Sequence, residues 1–363
     1  MLYFILDNIY NEHINNGIFF RYKNFINWLL DNNKPVTLIT RNVKTVTYPK
    51  NLNVIYIPFI KCIPYPELYF PILITVLKII PKNSTVITLL EYSPINIFTI
   101  SEKFNLILGY HTNLKLYTKN NFFLKLLYNI NINNRLIYTT NPSFILVSGY
   151  SSYSTFKTIK KEKLICWYDM NSSFLEYPII NFNYDKEKEV NMIYTGRISN
   201  SQKNINTLIE IVHEYNKNYG KARLTLYGDG PDLNKYTNSN VVHFYGNIDN
   251  DKLYNEYEKY INKNPVFIFA SVTETLGKSP IEASLCGLPV FTNISIETPF
   301  IYKDNINGFT FTSVNECCKK INKFINLSEY EKNNIVKNGK MLKKMFDPNI
   351  YSKIYDKITK NKI

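Results

Sequence analysis

Residues 271–291 read S-V-T-E-T-L-G-K-S-P-I-E-A-S-L-C-G-L-P-V-F, and their pattern is the strongest indication of the fold in this chain. One apolar run precedes it and a second, residues 288–291, closes it. Between the runs the sequence predicts a helix, with Ser279 as N-cap, Pro280 as first helical residue and Gly287 as stop. The order strand, turn, helix and strand predicts a parallel sheet. Open α/β sheets bind anionic ligands at the carboxyl edge of their strands, where helices begin.

Two carboxylates, Glu274 and Glu282, lie in this stretch with seven residues between them. Beside an anion site they would repel a phosphate unless they face neutral donors, and sugar hydroxyls are suitable donors. An alternative for Glu282 is a capping box with Ser279, which the S-x-x-E spacing alone favours. The alternative for Glu274 is an ordinary solvated charge in a turn.

Two cations stand at the start of the second half of the chain. Residues 192–197 read M-I-Y-T-G-R, an apolar strand pattern that ends in Gly196 and Arg197, and Lys203 follows before a helical pattern at 204–215. Arginine offers a fork of donors, and lysine offers a point charge, to the oxygens of a pyrophosphate. Either cation alone is typical of an ordinary surface. Two more strand ends follow, a Gly-Asp-Gly-Pro turn at 228–231 and a loop around Ile248.

The ordered set T-E-T-L-G-x-x-x-x-E-A-x-x-x-G-L-P-V, with Gly-Arg and Lys before it, resembles the donor-binding signature of family 4 retaining glycosyltransferases. The T-E-T-x-G form is most similar to the branch of sulfolipid synthases and related glycolipid transferases. The resemblance implies a GT-B type fold, in which two doubly wound, Rossmann-like α/β domains face each other across a cleft. It also implies a nucleotide-diphosphate sugar held by the second domain and transfer with retention of configuration.

The resemblance also implies a role for each matching residue. Arg197 and Lys203 would neutralise the diphosphate, while Glu274 would hold hydroxyls of the donor sugar. Glu282 would hold the ribose hydroxyls. The remaining donor-binding positions implied are Gly17, Gly196, Ile248, Thr275, Leu276, Gly277 and Lys278. Because the resemblance assigns neutralisation of the diphosphate to Arg197 and Lys203, we expect no metal site and no cofactor, with the nucleotide sugar as co-substrate.

The first domain carries fewer matching residues. Gly17 follows the first predicted strand, and in the family a glycine loop there approaches the donor phosphate and the acceptor. The segment G-Y-H-T-N at 109–113 resembles the family's H-T segment, which implies that His111 lines the catalytic cleft. The alternative is a structural or merely exposed histidine, which is the more common role of a lone histidine after a strand. Residues 166–171, C-W-Y-D-M-N, take the place of a family G-V-D: Asp169 is kept, whereas the glycine and valine are replaced.

The alternation of strand and helix patterns predicts three parts of the 363-residue chain. These are a domain at 1–180, a domain at 181–345 and a helix at 346–363. The resemblance implies that the second domain binds the nucleotide sugar and that the last helix returns to the first domain. The polar stretch 176–190 is the predicted linker. In the first domain, strands are predicted at 2–6, 36–40, 54–57, 86–90, 106–110 and 144–148.

Composition and charge set the outer limits. The net charge is +14, which is compatible with an anionic membrane surface, nucleic acid or a polyanionic donor. No nucleic-acid-binding module is recognisable, so we rank peripheral membrane contact above nucleic acid. Five cysteines without a C-x-x-C pair, and no signal peptide, predict a reduced, cytoplasmic protein. The longest apolar stretch, 68–80, is too short to span a bilayer.

The sequence therefore predicts a metal-independent hexosyltransferase that uses a UDP- or GDP-linked sugar and a lipid, glycan or protein acceptor. Two other classes remain open: an inactive nucleotide-sugar-binding scaffold, and a basic nucleic-acid-binding protein. Within the enzymes, a phosphorylase or a nucleotide-sugar epimerase on the same fold is the alternative.

Overall fold

The computed structural model describes most of the chain. The described residues are 1–6, 9–10, 17–41, 46–57, 78, 80–89, 104–110, 142–149, 159–168, 170, 172–236, 240–272, 274, 276–294 and 298–360. They fold into two compact units. The first comprises Met1–Asp169 and Pro348–Ile363, and the second comprises Met170–Asp347.

The first unit is built on a seven-stranded parallel sheet with strand order β3-β2-β1-β4-β5-β6-β7. Helix α1, Gly17–Asp31, follows the first strand. The strands are β1 Leu2–Ile5, β2 Val36–Arg41, β3 Asn53–Ile57, β4 Thr85–Leu89, β5 Asn105–Tyr110, β6 Phe144–Val147 and β7 Leu164–Cys166. All seven pair in parallel with their neighbours.

Side-chain alternation along these strands gives the sheet a core on each face. Leu2 and Phe4 of β1 join one core, and Tyr3 and Ile5 join the other. The first core also contains Trp167, which is fully buried.

The second unit has six parallel strands in the order β10-β9-β8-β11-β12-β13. They are β8 Val190–Thr195, β9 Ala222–Tyr227, β10 Val242–Gly246, β11 Pro265–Phe269, β12 Val290–Asn293 and β13 Phe309–Phe311. The helices are α2 Ser172–Glu176, α3 Asn200–Lys203, α4 Ile205–Asn218, α5 Asn250–Glu258, α6 Lys278–Cys286, α7 Thr298–Ile301, α8 Val314–Ile325 and α9 Glu329–Lys340. Every residue of β11 is buried, as the apolar run before residue 271 predicts.

The last helix, α10 Ile350–Lys360, belongs to the first unit. Ile354 and Ile358 enter the same core as Trp167, and the Tyr351 ring stacks on Phe25 of α1 with 5.6 Å between centroids. The chain therefore leaves the first unit once and comes back to it.

The division between the units falls eleven residues before the predicted one. Helix α2 lies against α6, and the backbone N–H of Ile180 donates to the Cys286 carbonyl at 2.9 Å. Residues 170–180 therefore pack with the second unit, although the polar sequence that follows them is typical of a linker. Strand β7 was not predicted, because three apolar residues beside a lysine-rich run give too short a pattern.

Candidate functional site

The strand order of the second sheet reverses at one point, between β8 and β11. From β8 the chain proceeds outward to β9 and β10, and it then returns to place β11 on the other side of β8. Loops that follow the two central strands diverge at such a point and leave a crevice at the carboxyl edge. The predicted cations follow β8 and the predicted carboxylates follow β11, so both groups flank this switch point.

The loop after β8 is held by backbone contacts that leave the Arg197 side chain exposed. Gly196 adopts a φ of +148°, and its N–H donates to the Tyr227 carbonyl at 2.9 Å. The Tyr194 hydroxyl donates to the Arg197 carbonyl at 2.9 Å. Within the described part of the chain, the Arg197 guanidinium has no hydrogen-bond or ion-pair partner. The backbone of Arg197 is therefore held in place, while its side chain binds none of the described residues.

Lys203, the last residue of α3, forms an ion pair with Glu274. Both side chains are only 15% exposed. Ser271 donates a hydrogen bond of 2.8 Å to the same carboxylate oxygen, and the Lys203 ammonium lies 5.5 Å from the centroid of the Phe269 ring. Two residues 71 positions apart in the sequence therefore share one partly desolvated location at the switch point.

Helix α6 begins at Lys278, two residues before Pro280, the predicted first helical residue. The N-cap is Gly277, with φ +69°, a left-handed conformation that glycine adopts without strain. Pro280 is consequently the third helical residue, where its missing N–H is still tolerated. No side chain caps this helix, so the capping-box interpretation of Glu282 is wrong. The predicted stop at Gly287 corresponds to the observed C-cap, with φ +101°.

The Glu282 carboxylate is buried on the side of α6 that also carries Lys278 and Cys286, four residues away in each direction. The residue is 6% exposed, and it makes no hydrogen bond to any residue that the structure describes. Burial raises the pKa of Glu282 to about 7, although the positive charge of Lys278 opposes the shift. Burying a carboxylate without such partners is costly.

We expect Glu282 to make stability fall as pH rises from 5 to 8. Its ordinary pKa is 4.5 and its folded pKa is about 7, so the folded state keeps a proton that the unfolded chain releases. The stabilisation is complete below pH 4.5 and is lost as pH passes 7, on the order of 3 kcal/mol in all. Urea unfolding across this range should show a flatter profile for Glu282→Gln than for the unmodified protein. Identical profiles would contradict the assignment.

The other predicted residues are distributed as follows. Leu276 is buried in the apolar interior, so only its backbone could meet a ligand. Ile248 is half-buried in the loop after β10, and Lys278 opens α6. Gly17 is the first residue of α1 in the first unit. His111, Thr275 and Asp169 lie outside the described residues, and their roles remain predictions.

Three residues of the site were not predicted from the sequence. Ser271 binds Glu274, the Phe269 ring lies near Lys203, and Tyr194 fixes the Arg197 carbonyl. Burial, together with the negative charge of Glu274, raises the pKa of Tyr194 well above its ordinary value. For Ser271 and Phe269, the only signal in the sequence was their position three and five residues before Glu274.

Within the described ranges, no three or more His, Cys, Asp or Glu side chains are grouped so that they could hold a metal ion. None of the described helices is both long and apolar enough to cross a bilayer. The described cysteines, Cys166, Cys286, Cys317 and Cys318, are free thiols.

Solved structures with similar folds cover nearly the whole chain. Sucrose-phosphate synthase from Thermosynechococcus elongatus superposes with a TM-score of 0.72 at 16% identity, over 98% of this chain and 97% of that one. Anabaena HepE in complex with UDP-glucose gives 0.69 at 14% identity, over 99% of both chains. At these identities the likeness concerns the fold alone, and that fold is GT-B, as predicted.

Sequence relatives match a shorter region. Alpha-monoglucosyldiacylglycerol synthase of Acholeplasma laidlawii is 31% identical over 132 residues, which are 36% of this chain and 33% of the relative. The chain thus spans about a third of the length of the curated relatives it matches. Residues 178–341 match the family described as glycosyl transferases group 1. This range contains every second-unit residue of the site, and the domain that carries the site is a member of the glycosyl transferases group 1 family.

Proposed function

We propose that the chain is a retaining glycosyltransferase that moves a hexose from a nucleotide-diphosphate sugar to an acceptor. The observation that carries the proposal is the meeting of opposite charges at the switch point. Cations follow β8, carboxylates follow β11, and the N-terminus of α6 lies beside them. A nucleotide sugar has the matching chemistry, because it joins an anionic diphosphate to neutral hydroxyls at both of its ends.

The diphosphate would lie against the loop after β8 and the first turn of α6. Arg197 presents there a guanidinium that pairs with none of the described residues, and Lys203, whose side chain is 15% exposed, adds an ammonium group. The first N–H groups of α6 have no intrahelical acceptors and carry the positive end of the helix dipole. A Cβ built on Gly196 would lie 3.7 Å from the Ser279 hydroxyl, so this loop and this helix end are neighbours.

The two carboxylates would hold the two sugars of the donor. Glu274 already accepts from Ser271 and Lys203, and its remaining lone pairs suit hydroxyls of the transferred hexose. Glu282 is buried without a described partner and suits the vicinal hydroxyls of the ribose. Hydroxyl donors would favour the ionised form of Glu282, so nucleotide binding should release a proton below pH 7.

Catalysis would depend on stabilising the departing diphosphate. As the glycosidic bond breaks, negative charge grows on the bridging oxygen, and fixed cations near it stabilise that charge more than the ground state. We propose that Arg197 and Lys203 do this with no metal ion. His111 and Gly17 are proposed to contribute from the first unit.

Two relatives suggest which donor base and which acceptor to propose for this chain. UDP-glucose is the ligand named for HepE, and a glycolipid is named as the product of the Acholeplasma synthase. We therefore propose a UDP-linked donor before a GDP-linked one, read in part by the loop around Ile248. A lipid acceptor presented at an anionic membrane is proposed before a glycan or a protein.

The first test is calorimetric titration with UDP, GDP and ADP, followed by incubation of UDP-glucose with vesicles that contain diacylglycerol or glucosyldiacylglycerol. We expect one nucleotide to bind, a glycolipid product with the donor's anomeric configuration by NMR, and activity that persists in EDTA. Binding without transfer to any acceptor class would favour the inactive scaffold. Nucleotide release that requires phosphate would indicate a phosphorylase, and donor isomerisation without acceptor an epimerase.

Glu274→Gln should change binding and transfer in opposite directions. The substitution removes the carboxylate that competes with the diphosphate for Lys203, so affinity for free UDP should rise about threefold to fivefold. It also replaces the charged acceptor of the hexose hydroxyls, so transfer should fall at least tenfold. Titration and initial-rate measurements on one preparation provide both values. A parallel loss of both would show that Glu274 acts only in folding.

A further inference from the structure

The Gly-Asp-Gly-Pro turn after β9 has no part in the proposed chemistry, yet it lies against the segment that carries Lys203. The Ile198 N–H donates to the Asp229 carbonyl at 2.9 Å, and the Asp232 N–H donates to the Ile198 carbonyl at 3.3 Å. A Cβ on Gly230 would overlap the Ile198 carbonyl, so the approach requires glycine. The two loops are therefore joined by backbone contacts immediately before Asp232.

Asp232 supplies a cap that helix α3 lacks. The N-cap of α3 is Ser199, whose side chain makes no capping hydrogen bond. Instead the Asp232 carboxylate accepts from the backbone N–H of Asn200 at 2.7 Å. Its other oxygen pairs with Lys235 at 2.6 Å, and the Asp232 side chain is 15% exposed. Hydrogen bonds from Lys235 and from the Asn200 N–H keep the pKa of Asp232 below its ordinary value, so the cap is ionised at neutral pH.

The capped helix ends at Lys203 after only four residues. The Asn200 side chain accepts from the Asn206 N–H at 3.0 Å and so fixes the start of α4. The Gln202 carbonyl accepts from Val272 N–H at 2.9 Å, which ties α3 to the loop that contains Glu274. A single helical turn has little stability by itself, so these hydrogen bonds to other segments determine the position of the Lys203 backbone.

We propose that Asp232 is a positioning residue: by capping α3 from the loop after β9, it holds the Lys203 ammonium in the place where it meets the donor diphosphate. The inference rests on the proposed function, since it assumes that Lys203 binds that diphosphate. It also gives the turn at 228–231 a role, which is to bring Asp232 to the start of α3 without touching the ligand.

Three variants separate this role from general stability. Asp232→Ala removes the cap, Asp232→Asn keeps an oxygen acceptor for Asn200, and Lys235→Ala removes only the exposed ion pair. Binding of UDP and of uridine to each is measured by calorimetry, because uridine lacks the diphosphate. We expect Asp232→Ala to lose about tenfold in UDP affinity, which is 1.4 kcal/mol, and to keep its uridine affinity. The other two variants should stay within about threefold of the unmodified protein.

Amide hydrogen exchange at 199–204, measured without ligand, is the second readout. Faster exchange in Asp232→Ala but not in Lys235→Ala is expected. Equal losses of UDP and uridine affinity, or unchanged exchange, would overturn the positioning role while the proposed function stands. If the unmodified protein binds UDP and uridine equally, or binds neither, the assumed diphosphate contact is absent and the inference is overturned. The GDP and ADP titrations then decide separately whether the proposed function is lost.

Discussion

Replacement of Lys203 by methionine should lower the rate of sugar transfer about 100- to 1000-fold, the usual cost of removing one fixed donor to a developing anion. Methionine keeps most of the length and apolar character of the side chain, including its approach to the Phe269 ring. What it removes is the charge. The measurement is single-turnover release of nucleoside diphosphate from the donor, which reports bond cleavage rather than product dissociation.

Two controls belong to this prediction. Lys259→Met breaks an ion pair with Glu256, at 2.6 Å, elsewhere in the same unit and should leave the rate unchanged. The double variant with Glu274→Gln tests whether the defect comes merely from an unpaired carboxylate. We expect no recovery in the double variant. A rate restored to that of Glu274→Gln alone would show that Lys203 serves to neutralise Glu274 and not the diphosphate.

Gly228→Ala should destabilise the second unit by roughly 4 kcal/mol, as the sum of backbone strain and steric overlap. Gly228 has φ +138°, and a Cβ there would overlap the Gly196 carbonyl, which is backbone and cannot rotate away. Gly220 provides a matched control, because its φ is +135° and nothing lies within 4 Å of an added Cβ. Gly220→Ala should therefore cost only the strain, about 1–2 kcal/mol.

Urea unfolding of both variants gives the difference directly. The substitution at Gly228 also displaces the turn that carries Arg197, so UDP affinity should fall in Gly228→Ala and not in Gly220→Ala. Equal stability losses would mean that the two loops separate without cost, and the close approach of Gly228 to Gly196 would then be of no structural importance.

The sequence predicts much of this fold because its apolar runs are short and regular. The six strands predicted in the first unit all occur, each within a residue of the expected bounds. Strand β7 was missed because it is short, and the start of α6 was misplaced by two residues because Ser279-Pro280 is a stronger local start signal than Gly277. Backbone freedom at a glycine outweighed side-chain capping, and the sequence pattern could not show this.

The sequence predicted which residues belong to the site better than it predicted how those residues are arranged. The family resemblance identified Lys203 and Glu274 as separate site residues. Their direct contact depends on the pairing of β8 with β11, which the resemblance did not specify. Burial of Glu282 likewise depends on how α6 packs. From the S-x-x-E spacing alone, a capping box was favoured over a binding role for this residue. No sequence pattern pointed to Asp232, because its carboxylate accepts a hydrogen bond from a backbone N–H that lies 32 residues earlier in the chain.

The return of α10 to the first unit has a consequence for biosynthesis. A ribosome makes residues 1–169 first, but the core around Phe25 and Trp167 lacks Tyr351, Ile354 and Ile358 until Met170–Asp347 has been translated. At typical elongation rates this interval lasts roughly 10–35 s. During that time the nascent first unit exposes an apolar seam, whereas the second unit is continuous in sequence and can close as it emerges. Chaperone dependence should therefore concentrate in the half of the protein that is made earlier.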